Sequence, residues 1–516
     1  MPIVQQGNIN TTALVVPDLY VQIVPPQNLV LNGVPTDIIG VVGTASWGPV
    51  GHPVIVGSMA DYASSFGPLI AGRFDMGTQI ATAVQQGASN FRCVRVSDGS
   101  DQAATISLGG VGLVATSSGS FGNEFSASIQ VGSQASSLAL VISAPGLRPE
   151  IFDNITGTGS AFWQALANAV NIGTGPLRGP SQHFVATVNG TSVVPSVGMV
   201  ATASGGTDGT AGVTTLGLLG SDTLPRKGMY VLRGQECSLA LLADCDDSTT
   251  WQAQAQFGLQ EGIYMILTGP AGDNILNAVT TKQTAGLDSY AAKIMFGDWL
   301  WWSDQVNGIT RLVSPQGFVA GRLANLSPEQ SSLNKELYGV VGSQRSGTPG
   351  TGQSATYSSA ELGSLLGVGI DVICNPQPGG SYWGVRGGHN SSSNAANNGD
   401  NYTRLTNFIA ATLAAGMGGY VGQVINSNLF QKIRATLLSF LQNMQSQGML
   451  GSTTGLPPFS VICDTTNNPP SRTGLGYVQS DVQIQYQSIN EKFIVNVEGG
   501  QSVSVQRQTL PYGQFG

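Results

Sequence analysis

A chain of 516 residues with 41% hydrophobic and only 10% charged residues is long enough for several domains with a substantial buried core, and too apolar to be disordered. Its 21 Lys+Arg against 29 Asp+Glu give a net charge of −8 with no basic run, which argues against binding a phosphate backbone. The first basic residue is Arg73, so the positive start of a secretory signal is missing, and no apolar run is long enough to span a membrane. Five scattered cysteines (Cys93, Cys237, Cys245, Cys374, Cys463) without a C-x-x-C pair suit reduced, buried thiols made in a reducing compartment. With 70 Gly and 25 Pro, the chain reads as ordered, turn-rich and β-leaning.

In chain order, residues 1–32 form an extended arm rich in Pro, Gln and Asn. It holds one strand-like stretch, 19–24, fenced by Pro17 and Pro25-Pro26. Buried strands are predicted at 38–43 and 54–56, a helix over 74–86 stopped by Gly87, and a strand over 91–96, together an α/β unit. From 98 to 212 the texture changes to Ser, Gly, Thr and Ala with short alternating strands (126–131, 137–143), one helix over 160–171 and a turn cluster at 204–209. The α/β pattern then resumes, with core strands at 239–243, 262–267 and 369–374 and helices near 248–260 and 274–285. Residues 342–356 and 389–401 have loop or linker composition, which puts a boundary near 390. Helices follow over 404–415 and 428–447. The second repeats Phe430, Ile433, Leu437, Leu441 and Met444, is capped by Ser427 or Asn428 and is stopped by Gly448. The tail alternates over Val482-Ile484-Tyr486, Phe493-Val495-Val497 and Val503-Val505.

Chemistry is sparse. Only His52, His183 and His389 are available, far apart, and no zinc, nucleophile-elbow or phosphate-loop motif occurs. Asp244, Asp246 and Asp247 follow a strand end where a cation could bind, but an acidic loop capping the next helix is the simpler reading. Trp299, Trp301 and Trp302 could form a stacking surface; core or interface packing fits better, because no basic residue flanks them. What stands out is the pair of strand-like termini, Tyr20, Val21, Gln22, Ile23, Val24 and Phe493, Ile494, Val495, Asn496, Val497. Neither has a hairpin partner beside it in sequence, so each needs an edge on another chain.

Several separated stretches are similar, in order and spacing, to one known family. They are 17–25; Gly33-Val34-Pro35-Thr36-Asp37 with 38–43; Gly48-Pro49-Val50; Asp61-Tyr62 with Phe66-Gly67; 86–90 with Val94-Arg95-Val96; 204–209; Pro315-Gln316-Gly317-Phe318-Val319-Ala320-Gly321; Tyr382-Trp383-Gly384-Val385-Arg386; and Asn401-Tyr402-Thr403-Arg404-Leu405. On these the chain resembles the tail sheath proteins of contractile bacteriophages and related injection machines, nearly end to end apart from about 98–203. It departs from their pattern at Gly387-Gly388.

The resemblance implies a virion structural protein, not an enzyme and without cofactors, made in the host bacterial cytoplasm. Such a subunit polymerises around the tail tube as a helical stack of rings and contracts to drive the tube through the host envelope. The expected partners are copies of itself, the tail tube protein, and baseplate and tail terminator proteins, with no nucleic acid and no direct membrane insertion. The implied fold class is α/β and α+β multidomain, and the expected division of the chain begins with an N-terminal arm at 1–32. A subtilisin-like α/β core without catalytic groups covers 33–97 plus 213–389, and a β-rich outer insertion covers 98–212. A C-terminal inner α+β domain at 390–490 and a strand arm at 491–516 complete it. In the resembled family both arms are donated as strands to neighbouring subunits. Lys432 and Arg434 are expected to face an acidic tube. Two other classes share parts of the pattern: a receptor-binding or capsid-decorating virion protein, which needs no strand-like arms, and a degraded α/β hydrolase, which needs a pocket of convergent polar groups.

Overall fold

The structure, a computed structural model, describes residues 3–6, 20–23, 31, 33–176, 178–190, 193–347, 356–453 and 455–497, with only the backbone of 3–6 and 20–23. Its centre is a seven-stranded sheet in the order Ile370–Asp371, Ala292–Met295, Tyr264–Thr268, Leu239–Leu242, Ile39–Gly43, Phe91–Arg95 and Pro53–Val56. All neighbours are parallel except the last edge strand. The inner strands IGVVG, LALL, YMILT and AKIM are buried at every position, as a parallel sheet covered on both faces requires. Ala292–Met295 escapes a hydropathy reading because Lys293 interrupts it.

One face carries the helices Met76–Gln85 and Gln316–Ala324, with Ile80, Phe318, Val319 and Leu323 packed on Val41, Leu239 and Leu241. The sequence Gly317-Phe-Val-Ala-Gly321 explains how closely the two helices approach. A Cβ on Gly317 would lie 2.2 Å from Thr82 Oγ1, and one on Gly321 2.5 Å from Ala83 Cα, so only glycine permits the contact. The opposite face packs Trp251, Phe257, Ala278 and Leu365 from three further helices against Val42, Ala240, Leu242 and Ile294.

Residues 103–203 fold around a core of their own. A sheet ordered Glu150–Ile155, Leu138–Ser143, Ser126–Val131, Val200–Thr202 and another ordered Phe184–Val188, Val111–Ser118, Ala103–Ser107 enclose the helix Ser160–Ile172, with Trp47 entering from the body. Both edges of the three-stranded sheet are occupied. On Phe184–Val188 the Asn171 amide donates to Ala186 O at 2.9 Å and accepts from Ala186 N at 2.8 Å, imitating a strand. On the other side Thr105 and Ser204 exchange backbone bonds, closed by the turn cluster of the sequence.

The C-terminal part packs the helices Asp400–Gly416 and Ser427–Ser446 on a two-stranded antiparallel sheet, Phe459–Ile462 with Asp481–Ile484. Leu405, Phe408, Ile433, Leu437, Phe440, Leu441 and Met444 form its core, at about 1.5–3 kcal/mol for each large apolar side chain buried.

The structure corrects several expectations. The cap of the long helix is Asn426, whose side chain accepts from Leu429 N, rather than Ser427 or Asn428. The preceding helix starts at Asp400, and the earlier one begins at Met76, capped by Asp75, with Phe74 at φ +64°. The strand expected over 369–374 breaks at Val372 into two pieces in different sheets. Most notably, the polar tract after His389 is no linker. Asn390 and Ser391 are fully buried, because Asn390 Nδ2 bonds Asn397 O and Thr403 Oγ1 while Ser391 O accepts from Lys282 Nζ at 2.9 Å. Residues 348–355 of the other expected loop, and Val503-Val505, lie outside the described residues.

Candidate assembly interface

The sheet formed by Phe459–Ile462 and Asp481–Ile484 faces Val461 against Val482 and has no third strand among the described residues. Its outer edges offer backbone donors and acceptors to another chain. Beyond it, Tyr486 bridges Leu450, its hydroxyl lies 3.2 Å from Thr406 Oγ1, and Gln487 O accepts from Asn401 Nδ2 at 3.0 Å. The chain then leaves the body. Phe493, Ile494, Val495 and Val497 are 82%, 80%, 63% and 85% exposed, Asn496 is exposed beside them, and the segment forms no strand in the isolated chain. The alternating pattern is therefore present without the edge that would order it.

At the other terminus Tyr20, Val21, Gln22 and Ile23 do form a strand, but it pairs in parallel with Ile3–Gln6, Ile3 opposite Tyr20 and Gln6 opposite Ile23. The sequence shows no hairpin partner beside this strand, and the edge it takes in the isolated chain is a parallel one from the same terminus. The partner escapes a periodicity reading because Ile-Val-Gln-Gln does not alternate. A two-stranded ribbon is marginal alone, and among the described residues this one has no further strand on either edge. Val24 lies outside the described residues.

Lys432 and Arg434 stand exposed on the helix Ser427–Ser446, on either side of buried Ile433. From residue 390 onward the sequence has six Lys/Arg against five Asp/Glu, whereas the first 389 residues have 15 against 24. The acidic excess of the protein thus lies in its first 389 residues, and the C-terminal part carries almost no net charge.

That part is fastened to the body by buried charge. Lys293 Nζ, fully buried, donates to Asp371 Oδ2 at 2.6 Å and Asp400 Oδ1 at 3.0 Å. The Tyr264 hydroxyl (2.7 Å) and the Ser332 hydroxyl also donate to Asp400. Burial pushes the Asp400 carboxyl up, but the Lys293 ammonium and these hydroxyls outweigh it and hold the group below the usual carboxylate range. Asp371 also receives the Gly387 and Gly388 amides at 2.7 Å each. A Cβ on Gly388, at φ +67°, would lie 2.2 Å from Ser331 Oγ, which accounts for the glycine pair at the family departure. Arg404, lowered to about 10 by burial, donates to Leu326 O and Ser327 O.

At the carboxyl ends of the parallel strands sits a second buried cluster. Asp75 accepts from Gly77 N, Thr78 N and the Thr78 hydroxyl, and Asp244, at φ +51°, accepts from Gln79 Nε2 at 2.9 Å. Burial pushes Asp75 up to about 7 and Asp244 up to about 6, against these hydrogen bonds and Arg311. The loop after Asp244 behaves as a cap, with Asp247 accepting from Thr249 N and Asp246 pairing with Arg73 at 2.8 Å. Trp302 is buried and donates to Gln85 Oε1, and Trp299 donates to Gly269 O, so both serve packing.

Two clefts of about 740 and 800 Å³ flank the turn Gly146-Leu147 between the body and the β-rich segment. His183, in the larger one, lies on Phe125, His389 contacts Glu491, and His52 is exposed, so the three imidazoles serve separate places. Among the described residues no group of three potential ligands could hold a metal ion, and no helix is long and apolar enough to cross a membrane.

No protein-family model and no curated protein matches the sequence. Solved structures do match in fold. The sheath tail protein of Desulfitobacterium hafniense superposes with a TM-score of 0.58 at 14% identity, over 86% of this chain and 93% of that one. The sheath tail protein of Listeria innocua gives 0.59 at 14%, over 84% and 90%. The helical sheath of the anti-feeding prophage in its contracted state gives 0.56 at 12%, over 94% and 99%. The mixed α/β, multidomain fold of this chain is that of contractile sheath proteins.

Proposed function

We propose that this chain is the structural subunit of a contractile sheath, polymerising around a tail tube and shortening to drive the tube forward. One observation carries the reading: a chain folded along nearly its whole length like sheath proteins presents an unfinished two-stranded sheet together with an unpaired apolar terminal segment. Each half supplies what the other lacks. The segment Phe493–Val497 of one subunit, and the N-terminal ribbon, join the edges of the Phe459–Ile462/Asp481–Ile484 sheet in neighbours, each backbone hydrogen bond contributing about 0.5–1.5 kcal/mol net.

In this reading the seven-stranded α/β body is a subtilisin-like arrangement without catalytic groups. The separated imidazoles and the cap role of Asp247 support that view. The β-rich region 98–212 lies outside and the region 390–490 inside, where Lys432 and Arg434 meet an acidic tube, a placement supported by the exposure of both side chains in a part of the chain that lacks the acidic excess of the rest. Baseplate and terminator proteins cap the polymer in the virion or in a phage-tail-like injection machine. No nucleotide is required, because the free energy of shortening resides in two packings of the same chains. Electron microscopy of the purified protein tests the reading: hollow striated tubes support it, and monodisperse particles at every concentration and salt contradict it.

A further inference from the structure

Among the described residues, Glu491 is the last to hold a hydrogen bond before the exposed terminal segment. His389 Nε2 donates to Glu491 Oε1 at 2.8 Å, the two side chains being 17% and 38% exposed. The imidazole is mounted on a fixed post. His389 O accepts from Lys293 Nζ at 2.9 Å, His389 N donates to Asp371 Oδ2 at 3.2 Å, and its backbone bridges Gly399. One end of the contact is therefore tied to the buried Lys293–Asp371–Asp400 cluster, while the other belongs to a stretch, 488–492, with no backbone hydrogen bond among the described residues. A half-exposed pair of this kind is weak and separates without stranding a buried charge. It can therefore set a direction and also release it.

We propose that His389 is a positioning residue for the C-terminal arm: its ring holds Glu491 and fixes the direction in which Phe493–Val497 leaves the body, and contact and direction change together when the sheath shortens. The inference rests on the sheath reading, because only a donated arm needs a set exit. Among the described residues, no other hydrogen bond ties the chain to the body after Gln487 O, held by Asn401.

The test is a His389→Cys/Glu491→Cys double variant, joined in the assembled sheath by a short bifunctional maleimide. The five native cysteines are buried and stay unreacted. Tubes that keep a single length under mild heating when cross-linked, yet shorten when the same cysteines carry a monofunctional maleimide, support the proposal. Cross-linked tubes that shorten like the parent overturn it and leave the sheath reading standing. Failure of the parent protein to form tubes removes the sheath reading, and this role with it. A second measurement needs no cross-link: His389→Ala raises the fraction of tubes found short without a trigger severalfold, while His389→Gln, which keeps an amide donor, stays near the parent. Equal behaviour of the two variants contradicts a positioning role.

Discussion

The β-rich segment and the C-terminal part are both small α/β assemblies, but the first closes its three-stranded sheet from within and the second leaves its two-stranded sheet open. In the first, each edge of the three-stranded sheet is occupied from within: Asn171 stands in for a strand along Phe184–Val188, and Ser204 closes the side of Ala103–Ser107. In the second, a helix pair with a smaller core of its own carries a sheet that has only two strands among the described residues, and a terminal apolar run is left bare. The difference is not the presence of a core, since each has one. It lies in where unpaired backbone is tolerated, and an open edge beside exposed apolar residues is what a chain built to join others retains.

The largest expected effect comes from breaking the open side. Removal of residues 492–516, or Val21→Pro with Ile23→Pro, leaves a monomer with unchanged circular dichroism and melting, and abolishes tube formation in sedimentation and microscopy. Proline removes the ladder donor, so alanine at the same sites has a smaller effect. Replacing 98–212 with a short linker is the converse experiment, and tubes persist because that segment holds neither of the terminal strands nor the C-terminal sheet they join. A folded deletion variant without tubes would place part of the lattice in that segment.

The joint between body and C-terminal part comes next. Lys293→Ala leaves Asp371 and Asp400 buried without a counter-ion and costs about 3–5 kcal/mol, measured by denaturant unfolding. Asn171→Ala exposes Ala186 N and O and costs about 1–2 kcal/mol. It also opens an edge of the three-stranded sheet, visible as new self-association. Reversing charge at Lys432 and Arg434 leaves stability within about 0–1 kcal/mol and weakens only co-assembly with the tube.

Smallest is a pH effect on the body. Asp75 binds its proton more tightly folded, at about 7, than unfolded, so the folded state holds more protons between the ordinary 3.8 of the free side chain and about 7. Its contribution to stability is full below that window and is lost as pH rises through it. Asp75→Asn keeps the helix cap and flattens this part of the stability–pH profile. Asp400, held low by Lys293, acts with the opposite sign at acid pH.

Strands of continuous apolar residues and the amphipathic helix Ser427–Ser446 were legible in the sequence, because burial on both faces or one face leaves a period that hydropathy shows. Ala292–Met295 was not, since its Lys293 is buried by partners 78 and 107 residues away. The tract after His389 misleads for a related reason: Ser and Asn signal a loop, yet here they satisfy one another and the backbone inside the protein. At the interface, the strand character of Tyr20–Ile23 was readable, but not its pairing with Ile3–Gln6, and the His389–Glu491 contact, 102 residues apart, left no local signal.

Hydrogen exchange of free subunits and of assembled tubes, compared amide by amide, bears most directly on the claim that the open sheet is completed by neighbours. The amides of Phe493–Val497, unprotected in the monomer, become protected by several orders of magnitude in tubes, together with the outer edges of Phe459–Ile462 and Asp481–Ile484, while Phe184–Val188 is unchanged. Tubes in which Phe493–Val497 exchanges as fast as in the monomer contradict the account.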